Sequence, residues 1–146
     1  MTTFRELHRP GSPLVMPNPW DVGTARVLAT LGFAALATTS SGFAATLGKL
    51  DGQVGREAAV AHGAELAAAV PVPVSADLEN GFADDPAGVA ATVEAAAATP
   101  LAGCSIEDRG PEPVLPQTFE QALRPPEPGN PGAIDHEHWV AVVRAR

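Results

Sequence analysis

The stretch of sequence that decides the fold spans residues 72–82 and reads Val-Pro-Val-Ser-Ala-Asp-Leu-Glu-Asn-Gly-Phe. Its small apolar residues are typical of a strand buried in a parallel sheet, and Asn80-Gly81 predicts a turn after it. Because side chains alternate along a strand, Asp77 and Glu79 are expected to share one face. Parallel α/β folds place their functional sites at the carboxyl ends of strands, so we expect a site here.

Two carboxylates side by side repel each other, and a hard cation would relieve that repulsion. Mg²⁺ prefers oxygen ligands, keeps several waters and commonly uses only one or two carboxylates directly. The alternative is that both acids are solvated in a surface turn or cap the next helix. This stretch alone leaves both interpretations open.

Composition limits the class of protein. The chain has 146 residues, of which 45% are hydrophobic, a size and composition that suit one domain with a core. A net charge of -8 without a basic cluster argues against a nucleic-acid partner or an anionic membrane surface. A single cysteine, Cys104, excludes an internal disulfide and fits a reducing compartment. With neither a signal peptide nor a run of 18 apolar residues, we expect a soluble cytoplasmic protein.

Strands and helices alternate along the first two thirds of the chain. Short apolar runs predict strands at 14–16, 33–38, 72–77 and 101–106. Helices are predicted at 3–8, 22–31, 56–70 and 86–98, with Asp21 and Asp85 as N-caps and a long loop over 42–55. This order indicates a parallel α/β sheet, in either a barrel or a doubly wound arrangement. The missing glycine-rich phosphate loop after the first strand disfavours the doubly wound nucleotide-binding alternative.

The composition changes after residue 109. Seven prolines between residues 110 and 132 predict a loose connector, and Asp135 is placed to cap a last helix. We therefore divide the chain into a partial barrel domain at 1–109, a proline-rich connector at 110–133 and a C-terminal helix at 134–146.

Five short motifs together carry a family resemblance. They are Asn-Pro-Trp-Asp at 18–21, Thr-Ser-Ser-Gly at 39–42, Leu-Gly-Lys-Leu-Asp at 47–51, Asp-Leu-Glu-Asn-Gly-Phe at 77–82 and Ile-Glu-Asp-Arg at 106–109. In this order and spacing the chain resembles the isocitrate lyase and phosphoenolpyruvate mutase superfamily over residues 10–109. The family fold is a (β/α)8 barrel, which typically needs about 250 residues. The resemblance therefore implies a truncated TIM-type barrel of about the first four β/α units.

The resemblance also implies residue roles and a reaction. Asp77 matches the acid that binds Mg²⁺ directly, with Mn²⁺ as an alternative ion, while Glu79, Asp51 and Glu107 match acids that hold the metal's water shell. Ser41 and Gly42 match the turn that holds the carboxylate of a small 2-oxo acid substrate. The implied activity is that of a lyase or phosphonomutase, which breaks a C–C or P–C bond through a metal-stabilised enolate.

Two departures from the family pattern keep a second interpretation open. Glu79 stands where the family usually has aspartate, and residues 110–114, Gly-Pro-Glu-Pro-Val, offer no cysteine, lysine or histidine, so the catalytic proton donor is unknown. The alternative is a catalytically inactive remnant, or a half-barrel that needs a partner chain. Because half a barrel leaves sheet edges unpaired, self-association into a homo-oligomer is expected.

The remaining polar candidates are expected to have ordinary structural roles. His62 is predicted to be a surface residue of an alanine-rich helix, and Cys104 to be an inert buried thiol. His136 and His138 are two residues apart on a predicted helix and therefore point in different directions. Asp84 and Asp85 are predicted to serve the cap of the next helix.

Overall fold

The structure is a computed structural model that describes residues 3–107 and the backbone of residues 140–141. Its helices are α1 (Phe4–Leu7), α2 (Val22–Thr30), α3 (Ser40–Thr46), α4 (Arg56–Ala69) and α5 (Pro86–Ala97). Its strands are β1 (Leu36–Ala37), β2 (Val74–Asp77), β3 (Gly103–Ser105) and β4 (Val140–Ala141). None of the described helices has the length and apolar character required to cross a membrane.

The strands form one small sheet in the order β1-β2-β3-β4. β1 pairs with β2 and β2 with β3 in parallel, with Leu36 opposite Val74 and Ser75 opposite Gly103. Helices α4 and α5 connect these parallel strands, as parallel pairing requires. The expected α/β fold with a parallel sheet is confirmed.

One face of the sheet packs against helices. Leu36, Val74 and Ala76 belong to a buried apolar cluster that also contains helix residues, among them Ala25 of α2 and Leu66 of α4. Because side chains alternate along a strand, Ser75 and its cross-strand partner Gly103 face the opposite side.

Phe4 covers part of that opposite side. A Cβ atom added at Gly103 would lie 2.8 Å from Cε1 of Phe4, and Phe4 is only 6% exposed. Thr3 and Glu6 hold α1 in place through a reciprocal capping box. The short N-terminal helix therefore closes the sheet from the side opposite α2, α4 and α5.

The capping aspartates predicted from the sequence are confirmed. Oδ1 of Asp21 accepts a hydrogen bond from the Thr24 amide at 2.8 Å, so α2 begins where the sequence indicates. Asp85 caps α5 with Pro86 in the first turn, and Oδ1 of Asp85 accepts from the amides of Ala87 and Gly88, both at 2.9 Å.

The strand predicted at 14–16 is wrong. That segment belongs to no strand, although the Ala37 amide donates to the Pro17 carbonyl at 3.2 Å and the Asn18 side chain donates to the Ala37 carbonyl at 2.9 Å. Pro17 and Pro19 have no N–H to donate, so the segment cannot continue a ladder beside β1.

Residues 42–46 were predicted to lie in a loop and instead belong to helix α3. The Thr39 hydroxyl accepts from the Gly42 amide at 3.5 Å and serves as the N-cap. The remaining strands are shorter than the apolar runs that predicted them, since only their central residues pair in the ladder.

The predictions for the C-terminal part of the chain lie mostly outside the described residues. The connector at 110–133 and most of the predicted helix at 134–146 cannot be compared with the structure. Residues 140–141 differ from the prediction, because their backbone forms β4, antiparallel to β3. The free edge of β3 offers unpaired backbone groups that a returning segment can satisfy.

Candidate metal and substrate site

Asp77 is fixed at the carboxyl end of β2 by three hydrogen bonds. Its amide donates to the Thr38 hydroxyl at 2.8 Å. One carboxylate oxygen accepts from the Ser40 amide at 2.9 Å, and the other accepts from the Glu79 amide at 3.2 Å. The side chain is thus oriented by backbone groups on both sides, with acceptor capacity left on each oxygen.

Glu79 reaches the same region through a turn. The strand ends at Asp77, and Glu79 has a left-handed φ of 48°, so the expectation that strand alternation aligns the two acids is wrong. The Gly81 amide closes the turn onto the Leu78 carbonyl at 2.8 Å, and the Phe82 amide donates to the Asn80 side chain at 3.0 Å. The predicted Asn-Gly turn is confirmed. It turns the chain so that Glu79 lines the same cleft as Asp77.

Two further acids come from neighbouring segments. The Glu107 amide donates to the Glu79 carbonyl at 2.7 Å, which extends the pairing of β2 and β3 past their ends. Asp51 lies in a turn closed by Gln53, whose amide donates to the Leu50 carbonyl and whose side chain accepts from the Leu50 amide. Gly52 has a φ of 78° in this turn. A Cβ atom added at Gly52 would lie 4.0 Å from Oε2 of Glu79.

These acids share one open cleft of about 1140 Å³ at the carboxyl ends of the parallel strands. Six carboxylates line it, and Arg56 is the one basic side chain among the described lining residues. The guanidinium of Arg56 lies 3.1 Å from its exposed neighbour Glu57. The lining residues are Thr39, Ser40, Ser41, Leu50, Asp51, Gly52, Gln53, Gly55, Arg56, Glu57, Asp77, Glu79, Asn80, Phe82, Ala83, Asp84 and Glu107.

The negative charges of the cleft act on the carboxyl group of Glu79. Partial burial raises the pKa of the Glu79 carboxyl above its ordinary value, and the negative charges of Asp51, Asp77 and Glu107 raise it further. Each of these causes disfavours the ionised form. A cation in the cleft would reverse that effect.

The donor set fits Mg²⁺ as a hydrated ion. Within residues 3–107, no group of three or more His, Cys, Asp or Glu side chains is arranged to hold a metal ion together. Mg²⁺ does not require such a group, since it binds through one or two carboxylates and retains waters. The oriented Asp77 carboxylate, surrounded by other acids at greater distance, meets that requirement.

The structure separates the two residues expected to hold a substrate carboxylate. Ser41 is exposed and lines the cleft, and its hydroxyl lies 3.2 Å from the Thr39 hydroxyl. Gly42 is buried beneath Trp20, where an added Cβ would lie 2.5 Å from the indole nitrogen. Close packing against Trp20 and Thr39 therefore explains the glycine.

His62 was predicted at the surface and is instead buried. It is 8% exposed, and its ring stacks on Phe43 of α3 with centroids 3.7 Å apart. Burial lowers the pKa of the His62 imidazole. Its position four residues before Leu66, which is buried, could have placed it on the inner stripe of α4.

Several residues of the site were missed by the sequence analysis. The Thr38 hydroxyl and the Ser40 amide hold Asp77, and Thr92 is fully buried beneath the turn after β2. The available signal for Thr92 was a hydroxyl on the otherwise apolar inner stripe of α5. Asp84 lines the cleft, whereas Asp85 caps α5. Cys104 is fully buried as predicted, and burial raises the pKa of its thiol.

Known proteins are similar to this chain in structure and in sequence. A proposed lyase/mutase from Burkholderia cenocepacia J2315 is 51% identical with a TM-score of 0.71, and the match covers 75% of this chain and 39% of that chain. For 2,3-dimethylmalate lyase, a member of the PEP mutase/isocitrate lyase superfamily, the identity is 34% and the TM-score 0.64, over 69% of this chain and 37% of that chain.

A protein relative supports the same relationship. An uncharacterized protein of Mycobacterium tuberculosis (strain ATCC 25618 / H37Rv) is 39% identical over 114 residues, which are 77% of this chain and 43% of the relative. The chain spans less than half the length of these relatives. The family model for phosphoenolpyruvate phosphomutase matches residues 4–127. The chain therefore belongs to the phosphoenolpyruvate phosphomutase family, within the PEP mutase/isocitrate lyase superfamily.

Proposed function

We propose that this chain carries the divalent-metal site of a lyase or phosphonomutase-like protein that acts on a small 2-oxo acid. The observation that carries the proposal is the convergence of Asp51, Asp77, Glu79 and Glu107 on one cleft at the carboxyl ends of β2 and β3. In this proposal Asp77 holds Mg²⁺ or Mn²⁺ directly, and the other three acids hold its waters. Family membership supports the reaction class.

When bound, the metal would polarise the carbonyl of the 2-oxo acid and stabilise the negative charge that develops as the adjacent C–C or P–C bond breaks. The chain's own residues supply orientation. The Ser40 and Glu79 amides fix the Asp77 carboxylate, and the exposed Ser41 hydroxyl lies on the cleft wall, where it can donate to the substrate carboxylate. Arg56 supplies positive charge for an anionic substrate.

No residue of the described cleft lining is assigned as the proton donor. The described lining of the cleft contains no histidine, lysine, cysteine or tyrosine. We propose that the described units are part of a (β/α)8 barrel, about its first four β/α units, and that residues outside them complete the site. In this proposal a second copy or another chain is a candidate source of those residues, and the alternative is a catalytically inactive remnant.

Thermal unfolding of the full chain with and without Mg²⁺ plus oxalate tests the metal site. Oxalate resembles a planar 2-oxo acid after bond cleavage and can chelate a hard cation through two oxygens. A ligand at 100 times its dissociation constant adds about 2.7 kcal/mol to the free energy of unfolding, which corresponds to several degrees for a domain of this size.

Asp77→Asn is the informative variant, because asparagine removes the charge with little change of shape and keeps an acceptor for one of the two backbone amides. Glu94→Gln is the matched control, since Glu94 is an exposed residue of α5 outside the cleft lining. We expect Mg²⁺ plus oxalate to raise the melting temperature of wild type and of Glu94→Gln, and to leave that of Asp77→Asn unchanged. A wild-type chain whose melting is indifferent to both ligands, or that shows no cooperative melting, would contradict the proposal and favour the remnant.

A further inference from the structure

We propose that Thr92 is a positioning residue of the acidic cleft: its buried hydroxyl holds the turn that carries Glu79 and thereby sets the affinity of the cleft for a divalent cation. The inference about affinity rests on the proposed function. The inference that Thr92 holds the turn rests on the contacts around Gly81 alone.

The turn after β2 is conformationally costly. Glu79, Gly81 and Phe82 have φ values of 48°, 79° and 55°, and two of these three residues carry side chains. Left-handed backbone at residues other than glycine costs free energy and persists only where the surroundings over-determine it. Contacts from outside the turn are therefore needed to keep Glu79 in place.

Thr92 supplies such a contact. It lies on α5 with a relative exposure of 0%, and its hydroxyl lies 2.6 Å from the Gly81 carbonyl oxygen and 3.2 Å from the Gly88 carbonyl oxygen. A threonine hydroxyl inside a helix commonly donates to the carbonyl four residues earlier, which here is Gly88. The Gly81 carbonyl oxygen is the nearer of the two, so the Thr92 hydroxyl donates its single proton to the turn.

The fit between α5 and the turn is close on both sides of this hydrogen bond. An added Cβ at Gly81 would lie 3.0 Å from both γ-carbons of Val89, one helical turn before Thr92. Gly81 is itself buried, so its carbonyl would lose its partner if the Thr92 hydroxyl were removed. An unsatisfied buried carbonyl is costly, and the turn would shift to reach water.

A shift of this turn reaches the acids directly. Gly81 is two residues from Glu79, and the Glu79 carbonyl accepts from the Glu107 amide at 2.7 Å. The Glu79 amide in turn donates to Asp77. Movement of the turn therefore displaces three of the four carboxylates of the proposed metal site, although Thr92 touches none of them.

The test compares Thr92→Val, Thr92→Ser and Thr99→Val in the full chain. Thr92→Val keeps the shape of the side chain and removes the hydroxyl, whereas Thr92→Ser keeps the hydroxyl. Thr99→Val is the matched control, because the Thr99 hydroxyl donates to the Ala96 carbonyl at 2.6 Å just beyond the end of α5, away from the cleft. The probe is Mn²⁺, with the free ion followed by electron paramagnetic resonance at a temperature where each variant is folded.

We expect Thr92→Val to weaken Mn²⁺ binding about tenfold, the low end of the effect of residues that orient metal ligands. Thr92→Ser and Thr99→Val should stay within about twofold of wild type, by the same standard. Equal Mn²⁺ affinity in wild type and Thr92→Val overturns the proposal. If Thr92→Val does not fold, Thr92→Ser decides: retained affinity supports the role of the hydroxyl, and lost affinity contradicts it.

Hydrogen exchange separates this inference from the proposed function. In the absence of metal, Thr92→Val should speed exchange of the Gly81 amide, which closes the turn, relative to amides in β2, while Thr99→Val should not. A wild-type chain that binds no Mn²⁺ contradicts the metal site and the affinity effect. Unchanged exchange at Gly81 in Thr92→Val contradicts the positioning role whatever the metal result.

Discussion

The ionised form of Glu79 is disfavoured by its position among the other acids of the cleft. Partial burial and the charges of Asp51, Asp77 and Glu107 all raise the pKa of its carboxyl. The unfolded chain imposes none of these effects, so the folded state holds the Glu79 proton to a higher pH than the unfolded state does. Stability is therefore lost as pH rises through the unfolded pKa toward the raised folded pKa, and the cost is fully present only above the folded pKa.

Glu79→Gln is expected to stabilise the metal-free chain at pH 7. The gain should be about 0.5 kcal/mol, because the side chain is partly exposed and solvent screens the repulsion. Urea unfolding at pH 7 and pH 4 measures it, and the gain should shrink at pH 4 as Glu79 takes up its proton. Glu94→Gln removes the same charge from an exposed site on α5 and should not reproduce the gain. A Glu79→Gln variant no more stable than Glu94→Gln would contradict this account.

At the scale of elements, the sequence was most informative where one residue determines a local geometry. Asp21 and Asp85 marked the starts of α2 and α5 because a cap is a contact within four residues. The failures depended on tertiary pairing. Residues 14–16 have an apolar pattern but lie beside prolines that cannot donate to a ladder, and α3 forms where a glycine and two serines suggested a loop.

The candidate site, like the fold, could be predicted only in part from the sequence. Asp77, Glu79 and Glu107 were identified from their place after apolar runs, and Asp51 from the family resemblance. The structure brings all four to one cleft, while their metal roles remain predictions. The route of Glu79 into the cleft was missed because a left-handed residue other than glycine has no clear sequence signal. Thr92 was missed because its partner, Gly81, lies eleven residues away.

The contact between α3 and α4 predicts a pH dependence of stability. His62 of α4 stacks on Phe43 of α3, and its Nε2 atom has no hydrogen-bond partner among the described residues. Burial lowers the pKa of His62 in the folded state, and the charges of Glu65 and Asp21 oppose that effect only in part. As pH falls below the unfolded value of about 6.5, the unfolded chain takes up a proton that the folded chain resists, so stability is lost.

His62→Gln should reduce this loss. Between pH 7.5 and 5.5 we expect wild type to lose about 0.5 kcal/mol more free energy of unfolding than His62→Gln, a figure discounted for solvent screening. Urea unfolding across that range measures the difference, and His8→Gln, at the C-cap of the short N-terminal helix, is the control. Parallel pH profiles for wild type and His62→Gln would show that His62 protonation does not couple to folding.

At the scale of the whole molecule, the described residues form a sheet with two unequal faces. Helices α2, α4 and α5 pack on one face through the buried cluster around Leu36, Val74 and Leu66. The other face is lined by small residues such as Ser75 and Gly103, and Phe4 packs against it. A barrel would enclose that second face, whereas in this structure a single aromatic ring closes part of it.

Phe4 should therefore matter more than its place in a four-residue helix suggests. Phe4→Ala is expected to lower the free energy of unfolding by about 3 kcal/mol, because it removes a buried ring and leaves space above Gly103 that the sheet cannot fill. Urea unfolding measures the loss, and Leu31→Ala, which removes a side chain from a residue that is 69% exposed, should cost no more than about 0.5 kcal/mol. If the free energy of unfolding falls by the same small amount in both variants, α1 does not cover the second face. A large loss in Phe4→Ala alone would mean that the N-terminal helix stabilises the second face of the sheet.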